Sequence, residues 1–333
     1  MLTRPDNLLD AQLIEVIGAS WGLRVDDLEY IAIGFGSYHW RAITGAGQRF
    51  VTVDDLELKK RDQAEPVDAS LRRLSSALET AWILRQAGMD FIVAPVRDSA
   101  GATVRTLENR FAVALYPFVD GTSHEWGSYP TRAERLAVLD VLAQLHAAVD
   151  LARPTAFVDD FAIAHRDQLT AALSDLDQPW ADGPFGEPAR ALAGRHVEAI
   201  RRALERYDGL ASTAAAQPER MVLTHGEPHR ANTIGTGDGV KLIDWDTVLI
   251  APPERDLWAF VSEDSSIIED YEARTGTRPS EELIELYRLS WDISEIATYI
   301  GQFRRSHDDT EDTRVAWGGL QEYLDPARWR TAL

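Results

Sequence analysis

The sequence predicts an α+β protein of two unequal lobes: a smaller one in residues 1–117, built on an antiparallel sheet plus one long helix, and a larger, mainly helical one in residues 118–333. Three observations lead there. The chain has 333 residues, more than one ordinary domain. Short β-rich runs crowd its first third, whereas long runs with apolar residues at helical spacing fill most of the rest. The change from one pattern to the other falls between Tyr116 and Gly121.

Along the chain, Asp6 or Asn7 is placed to cap a first helix, whose apolar positions Leu8, Leu9, Leu13, Ile14 and Ile17 recur at helical spacing before Gly18. "LEYIAIGFGSYHWRAIT" and "QRFVTVDD" hold short β-rich runs separated by glycine-containing stretches, the pattern of antiparallel strands. A long helix follows in "ASLRRLSSALETAWILRQAGM". There Leu71, Leu74, Leu78, Trp82, Ile83 and Leu84 gather most of the apolar bulk on one side, and Gly88 closes the helix. Two more strand-like runs, "FIVAPVRD" and "RFAVALYPFVDG", complete the expected sheet. Helices are then expected in "TRAERLAVLDVLAQLHAAVD", with Leu136, Leu139, Leu142 and Leu145 at threefold spacing, in residues 188–208 and in residues 280–303. Residues 151–186, with Pro154, Pro179, Gly183, Pro184 and Gly186, read as the most irregular segment. No internal repeat or low-complexity tract interrupts the pattern.

Composition narrows the partners. With 54 acidic against 34 basic side chains the formal charge is -20 at pH 7, a field that repels nucleic-acid phosphates and anionic membranes and attracts small cations. The same charge serves plain solubility, so it supports an assignment without making one. The absence of cysteine excludes disulfides, thiolate metal ligands and a cysteine nucleophile. The N-terminal stretch "MLTRPDNLLDAQLIEVIGAS" lacks a basic start leading into an apolar core, and no apolar run approaches membrane-spanning length. A soluble, cytoplasmic protein is expected, with neither nucleic acid nor membrane as partner and with its oligomeric state open.

The chemistry concentrates in "MVLTHGEPHRANTI", residues 221–234, and in "GDGVKLIDWD" that follows. Both join polar turns to short apolar runs, as a hairpin-like unit with polar groups at its strand ends does. Glu227, Asn232 and Asp244 are the side chains there that offer hard oxygen donors to a cation such as Mg²⁺, and a carboxylate among them could instead accept a proton. A zinc-protease reading of His225, Glu227 and His229 fails, because Gly226 and Pro228 break the helix that such a motif needs. A polar turn with no chemistry accounts for this stretch alone, since Gly, Pro and Asn are ordinary turn residues.

"HGEPHRAN" followed by "LIDWD" resembles the catalytic segment of the aminoglycoside phosphotransferase family, in which His-Gly-Asp precedes an Asn and then an Ile-Asp-aromatic run. The likeness extends along most of the chain. "IGFGSYHWRAI" is similar to the family's nucleotide loop, "ALETAWILRQAGM" to its sheet-packed helix, and "VALYPFVDG" to the linker between its lobes. "VLAQLHAAV" has a weaker counterpart there, "APPERDLW" resembles the segment after the metal-binding Asp, and "LEYIAIGFGSYHW", "FVTVDD" and "DWDTVLIAPPERDLW" look like the spectinomycin phosphotransferase-like branch. The resemblance implies a bilobal, protein-kinase-like fold with ATP between the lobes, phosphoryl transfer to a hydroxyl of a small and cationic molecule, and a place in antibiotic resistance. It implies that Glu227 orients or deprotonates that hydroxyl while Asn232 and Asp244 hold Mg²⁺ on the ATP phosphates. It gives Asp256 the task of accepting backbone hydrogen bonds from the catalytic loop, and His225 a supporting task. Gly34 and Gly36 would let the backbone approach the phosphates, with Ser37 and Tyr38 at the turn, and Glu79 would hold the strand's cation. Tyr116, Pro117 and Phe118 would cover and read adenine, unless they only finish a strand.

Two departures follow from the same alignment of motifs. Glu227 stands where the family has Asp, which moves the carboxylate by roughly a bond length; a misplacement of about 1 Å costs on the order of a hundredfold in rate unless the loop adjusts. The strand that should carry a lysine reads "RFVTVDDLELKKR", with Thr52 or Asp54 in its place. Lys59, Lys60 and Arg41 lie nearby, but spacing fixes none of them, and a solvated surface position is the expectation for each. A nucleotide- or ligand-binding pseudokinase with little or no transfer activity is therefore the alternative. Asp120, Glu125, Asp292 and Glu295 are acids available to a cationic substrate, with solvated helix surface as the ordinary expectation.

Overall fold

The structure is a computed structural model and describes residues 1–180 and 183–325. Helix α1 (Asp10–Trp21) leads into strands β1 (Val25–Ile31), β2 (Tyr38–Thr44) and β3 (Gly47–Asp55), helix α2 (Val67–Gln86), and strands β4 (Arg105–Leu107) and β5 (Phe111–Pro117). Strand β6 (Thr122–Ser123) and helices α3 (Arg132–His146), α4 (Val149–Ala152), α5 (Arg166–Ser174) and α6 (Gly186–Ala215) come next. Four short strands follow, β7 (Val222–Thr224), β8 (Thr233–Thr236), β9 (Gly239–Leu242) and β10 (Leu249–Ala251). Helices α7 (Glu254–Glu263), α8 (Ile267–Thr275), α9 (Glu281–Phe303) and α10 (Glu311–Tyr323) complete the order. The fold class is α+β, as expected.

The chain forms two compact units, and every residue of the candidate site lies in the first, made of Met1–Lys59, Pro66–Asp159 and Glu219–Pro279. Its main sheet has the order β1-β2-β3-β5-β4, antiparallel throughout. Alternation along the strands gives the sheet two different faces. Trp40 and Ala42 of β2, Val51 and Val53 of β3 and Val113 and Leu115 of β5 join Leu8, Leu13 and Ile17 in one buried core, so α1 covers that face. Phe50, Thr52 and Asp54, with their partners His39, Ala114 and Tyr116, occupy the other. In the same unit β8 and β9 form a hairpin edged by β6, and β10 pairs with β7.

The second unit, Lys60–Glu65, Asp160–Pro218 and Ser280–Leu333, holds α5, α6, α9 and α10. Leu283, Leu286, Leu289, Ile293, Ile296 and Ile300 place the buried side of α9 at the spacing that its sequence shows.

Three expectations need correction. Helix α1 begins at Asp10 and runs through Gly18, ending where Gly22 takes the left-handed backbone at φ 66°. Its first turn is closed by the Gln12 side chain, which accepts from the Leu9 amide at 2.9 Å, and Asp6 and Asn7 lie outside it. "FIVAPVRD" is buried but is not a strand. Its backbone serves two partners in turn, Leu242 through Val93 and Phe91 at 3.0 and 2.7 Å, then Leu115 through Val96 at 2.6 Å, so it bridges two sheets, and the edge strand is β4 instead. The segment 151–186 holds a regular helix, α5, whose short apolar run Leu169, Ala172 and Leu173 is buried.

Candidate active site

The loop between β7 and β8 is held from all sides by hydrogen bonds. Asp256, buried at the start of α7, accepts from the amides of His225 at 2.9 Å and Gly226 at 2.6 Å and from His146 Nε2 at 3.0 Å. Tyr271 Oη completes that network at 2.7 Å from His146 Nδ1. Burial alone would raise the Asp256 carboxyl, but these donors and the nearby Arg255 hold it below the usual carboxylate range. His225 donates from Nε2 to the Ile243 carbonyl at 2.9 Å and accepts the Glu227 amide on Nδ1 at 3.3 Å. Both ring nitrogens are thus engaged, and burial pushes the imidazole down, to the neutral form. The structure accordingly gives His225 the supporting place and Asp256 the buttressing place that the sequence suggested. Gly226 is required in this loop: its φ is 102°, and a Cβ would collide with the Arg255 guanidinium, itself fixed by Thr224 Oγ1 and the Thr247 carbonyl.

The same bonds bring the separate motif residues together. Asn232 Nδ2 donates to the Glu227 carbonyl at 3.0 Å and lies 3.2 Å from His229 Nε2, which sets its oxygen on the opposite edge of the amide. The Ile243 amide donates to the Asn232 carbonyl at 3.0 Å, so Asp244 leaves the chain beside Asn232. Asp244 adopts φ 63°, a left-handed conformation that costs a non-glycine residue on the order of 1 kcal/mol and that collects at functional sites.

Asp244 does not stand alone. Although Asp244 keeps an exposed surface, crowding by the surrounding site and the like charges of Asp246, Glu227 and Asp54 push its carboxyl above the ordinary range, with Lys59 opposing. Asp246 is also desolvated, yet the Lys59 ammonium and, to a lesser degree, Asp244 beside it hold it low. Lys59 Nζ sits 2.7 Å from Asp246 Oδ2 and 3.1 Å from Asp54 Oδ1. Ser37 Oγ donates to Asp54 Oδ1 at 2.6 Å and so ties the glycine turn to the cluster; Gly34 and Gly36 take φ 69° and 82°. On the same sheet face Tyr116 bonds Thr52, and burial together with Asp54, Asp244 and Asp246 raises its phenol well above the usual range. Phe118 follows β5, half-buried.

Oxygen donors from Asn232 and Asp244, beside more acid than base, fit a hard divalent cation. Among the described residues no group of three or more His, Asp or Glu forms a metal cage by itself. Two protein ligands completed by phosphate and water are how Mg²⁺ is ordinarily held.

Several expected residues stand elsewhere. Tyr38 alternates with His39, so its side chain packs on the core side near Trp40, ring centroids 6.5 Å apart, and His39 takes the site face. Glu79 has a partner after all: Arg97, whose guanidinium lies 3.5 Å from the Trp82 ring centroid. Arg41 pairs with Glu29 at the surface, as expected of it. Lys59 departs from the surface expectation, because the turn after β3 folds it back over the sheet. In the second unit Asp292 is buried and Glu295 accepts from Tyr299 Oη at 2.6 Å, so neither is plain solvated surface; Asp120 and Glu125 are exposed. Sequence reasoning missed Asp246, although its place two residues after Asp244 in "LIDWD" was a usable signal, and His146, whose role depends on a contact with distant α7.

Residues 27–294 match the family described as the phosphotransferase enzyme family, APH. Protein StrN of Streptomyces griseus is 29% identical over 276 residues, which cover 79% of this chain and 82% of that protein. Among solved structures, spectinomycin phosphotransferase APH(9)-Ia in complex with ADP and spectinomycin superimposes with a TM-score of 0.73 at 17% identity over 96% of each chain. A microcompartment-associated aminopropanol kinase does so at 0.61, with 15% identity over 95% of each chain. Macrolide 2'-phosphotransferase MphH of Brachybacterium faecium gives 0.53 at 20% identity, over 96% of this chain and 99% of its own. These three likenesses show the kinase-like fold. Among the described residues no helix is long and apolar enough to cross a membrane.

Proposed function

The chain belongs to the phosphotransferase enzyme family, a small-molecule phosphotransferase by kinship and fold, and on that footing we propose that it transfers the γ-phosphoryl group of ATP to a hydroxyl of a small cationic molecule of aminoglycoside or aminocyclitol type. One observation carries the reading. The His225 ring donates to the Ile243 carbonyl, the Ile243 amide to the Asn232 carbonyl and the Asn232 side chain to the Glu227 carbonyl, so Glu227, Asn232 and Asp244 project from one hydrogen-bonded loop assembly.

In this reading Glu227 accepts the proton of the acceptor hydroxyl as its oxygen bonds to the γ-phosphorus and ADP departs. Asn232 and Asp244 would hold Mg²⁺, which neutralises phosphate charge when bound. Positioning and charge neutralisation supply most of the catalysis in phosphoryl transfer, so this set suffices without a covalent intermediate. The glycine turn at Gly34, Gly36 and Ser37 would lie along the phosphates, with Tyr116 and Phe118 at the adenine. Residues 1–117 would then form the nucleotide-binding lobe and 118–333 the catalytic and substrate-binding lobe. The net charge of -20 and the relatives that act on amine-bearing compounds, spectinomycin and aminopropanol, support a cationic acceptor in a cytoplasmic setting.

The test incubates the protein with ATP and Mg²⁺ and a panel of amino alcohols, aminocyclitols and aminoglycosides, and reads products by mass spectrometry. Gain of one phosphoryl group on an acceptor is expected. Thermal stabilisation by ATP and Mg²⁺ with no phosphorylated product across the panel would favour the pseudokinase alternative, and absence of both would remove the nucleotide from the account.

A further inference from the structure

Strand β3 offers Phe50, Thr52 and Asp54 to the site face, so no cation of the strand faces the site. The chain supplies a cation by another route. After β3 ends at Asp55, the Leu58 and Lys59 amides bond the Asp55 carbonyl at 2.9 and 3.2 Å, and the Glu57 amide bonds the Asp55 carboxylate at 3.1 Å. This tight turn is pinned by Leu56, which is fully buried, and by Arg73, which donates to the Lys59 carbonyl at 2.9 Å. It returns the Lys59 side chain over the face that carries Asp54. Its ammonium there meets Asp54 and Asp246 and lies beneath the glycine turn, 3.7 Å from where a Cβ on Gly36 would be. Three other basic groups of this region are committed elsewhere: Arg41 to Glu29, Arg97 to Glu79, and Arg110 to Asp55 at 2.6 Å.

Resting on the kinase reading above, we propose that Lys59 is a catalytic residue of this chain: the cation that contacts the nucleotide phosphates, replacing a strand lysine from beyond the end of β3. The geometry is that of a shared cation. One ammonium with three donors can keep Asp246 and Asp54 on one side and donate to a phosphate oxygen on the side of the Gly36 backbone. Lys59 stays charged across the working pH range, since the two carboxylates more than offset the burial that would lower it.

The test compares binding of ATP and of adenosine by calorimetry, in EDTA and in Mg²⁺, for the wild type and Lys59→Met. In EDTA the loss of one charge-assisted contact should weaken ATP by about 10- to 100-fold and leave adenosine, which has no phosphate, unchanged. Because Lys59→Met leaves buried acids unpaired, the charge-balanced Asp54→Asn/Lys59→Met protein is measured against Asp54→Asn in the same way. Adding Thr52→Lys to the double variant, which puts a cation back on the strand, should recover part of the ATP affinity. Unchanged ATP affinity, or equal losses for ATP and adenosine, would overturn the proposal and leave Lys59 a structural ion pair. A wild-type protein that binds neither compound would fell the kinase reading itself.

Discussion

Two acidic centres stand side by side in the first unit, and they are built on opposite principles. At Asp256 one carboxylate receives three donors, the amides of His225 and Gly226 and the His146 ring, so charge and hydrogen bonding are both satisfied. At the second, Asp54 and Asp246 share the Lys59 ammonium, and burial and like charge raise the Asp244 carboxyl beside them. The first centre stabilises a loop. The second stores unfavourable negative charge that a bound divalent cation would relieve. Sites that hold such strain usually do so at the expense of stability, which makes the contrast measurable.

The largest expected effect is on what the satisfied centre positions. Glu227→Gln, nearly isosteric, should lower turnover by about 10² to 10⁴ with ATP affinity little changed, as loss of a general base does; equal turnover would take Glu227 out of the chemistry. Next comes Asp256→Asn, which sets an amide nitrogen against donors and should cost about 3 kcal/mol, read as a lower urea midpoint.

Asp244→Asn should have the opposite sign. A carboxyl whose folded pKa is raised contributes stability fully present below its unfolded value, near 3.9 on average, and lost as pH rises through the folded value. The asparagine escapes that loss and tolerates φ 63°. A gain of about 0.5 to 1 kcal/mol is expected at pH 8, limited by solvent screening, and none near pH 3, while Mg²⁺-dependent ATP binding is lost. Destabilisation at pH 8 would show that the cluster is no strained site. Smallest is Arg41→Ala, whose surface pair with Glu29 is worth less than about 0.5 kcal/mol and whose loss should leave ATP affinity unchanged, in contrast to Lys59→Met.

Much of the catalytic loop was legible because its residues are neighbours in sequence: His225 to Asn232 fall in one octet and Asp244 in the next polar turn. The sheet was legible from its short β-rich runs, and alternation along them would have turned Tyr38 to the core and His39 to the site. What could not be read were contacts made across distance. Lys59 reaches Asp246 only because the turn at Asp55 reverses the chain, and no periodicity reports on that. Glu79 finds Arg97 because "FIVAPVRD" crosses between sheets and does not pair as a strand. Asp292 looks like any helix acid until α9 is seen to bury it.

The central claim is that the glycine turn, Lys59 and the Asp244 cluster together receive a metal-bound triphosphate facing Glu227. A crystal structure with Mg²⁺ and a non-hydrolysable ATP analogue tests it directly. The account predicts the metal on Asn232 and Asp244, a phosphate oxygen on Lys59 Nζ, and the γ-phosphate turned toward the Glu227 carboxylate. Phosphates bound away from Gly36 and Lys59, or a metal that leaves Asp244 untouched, would contradict it.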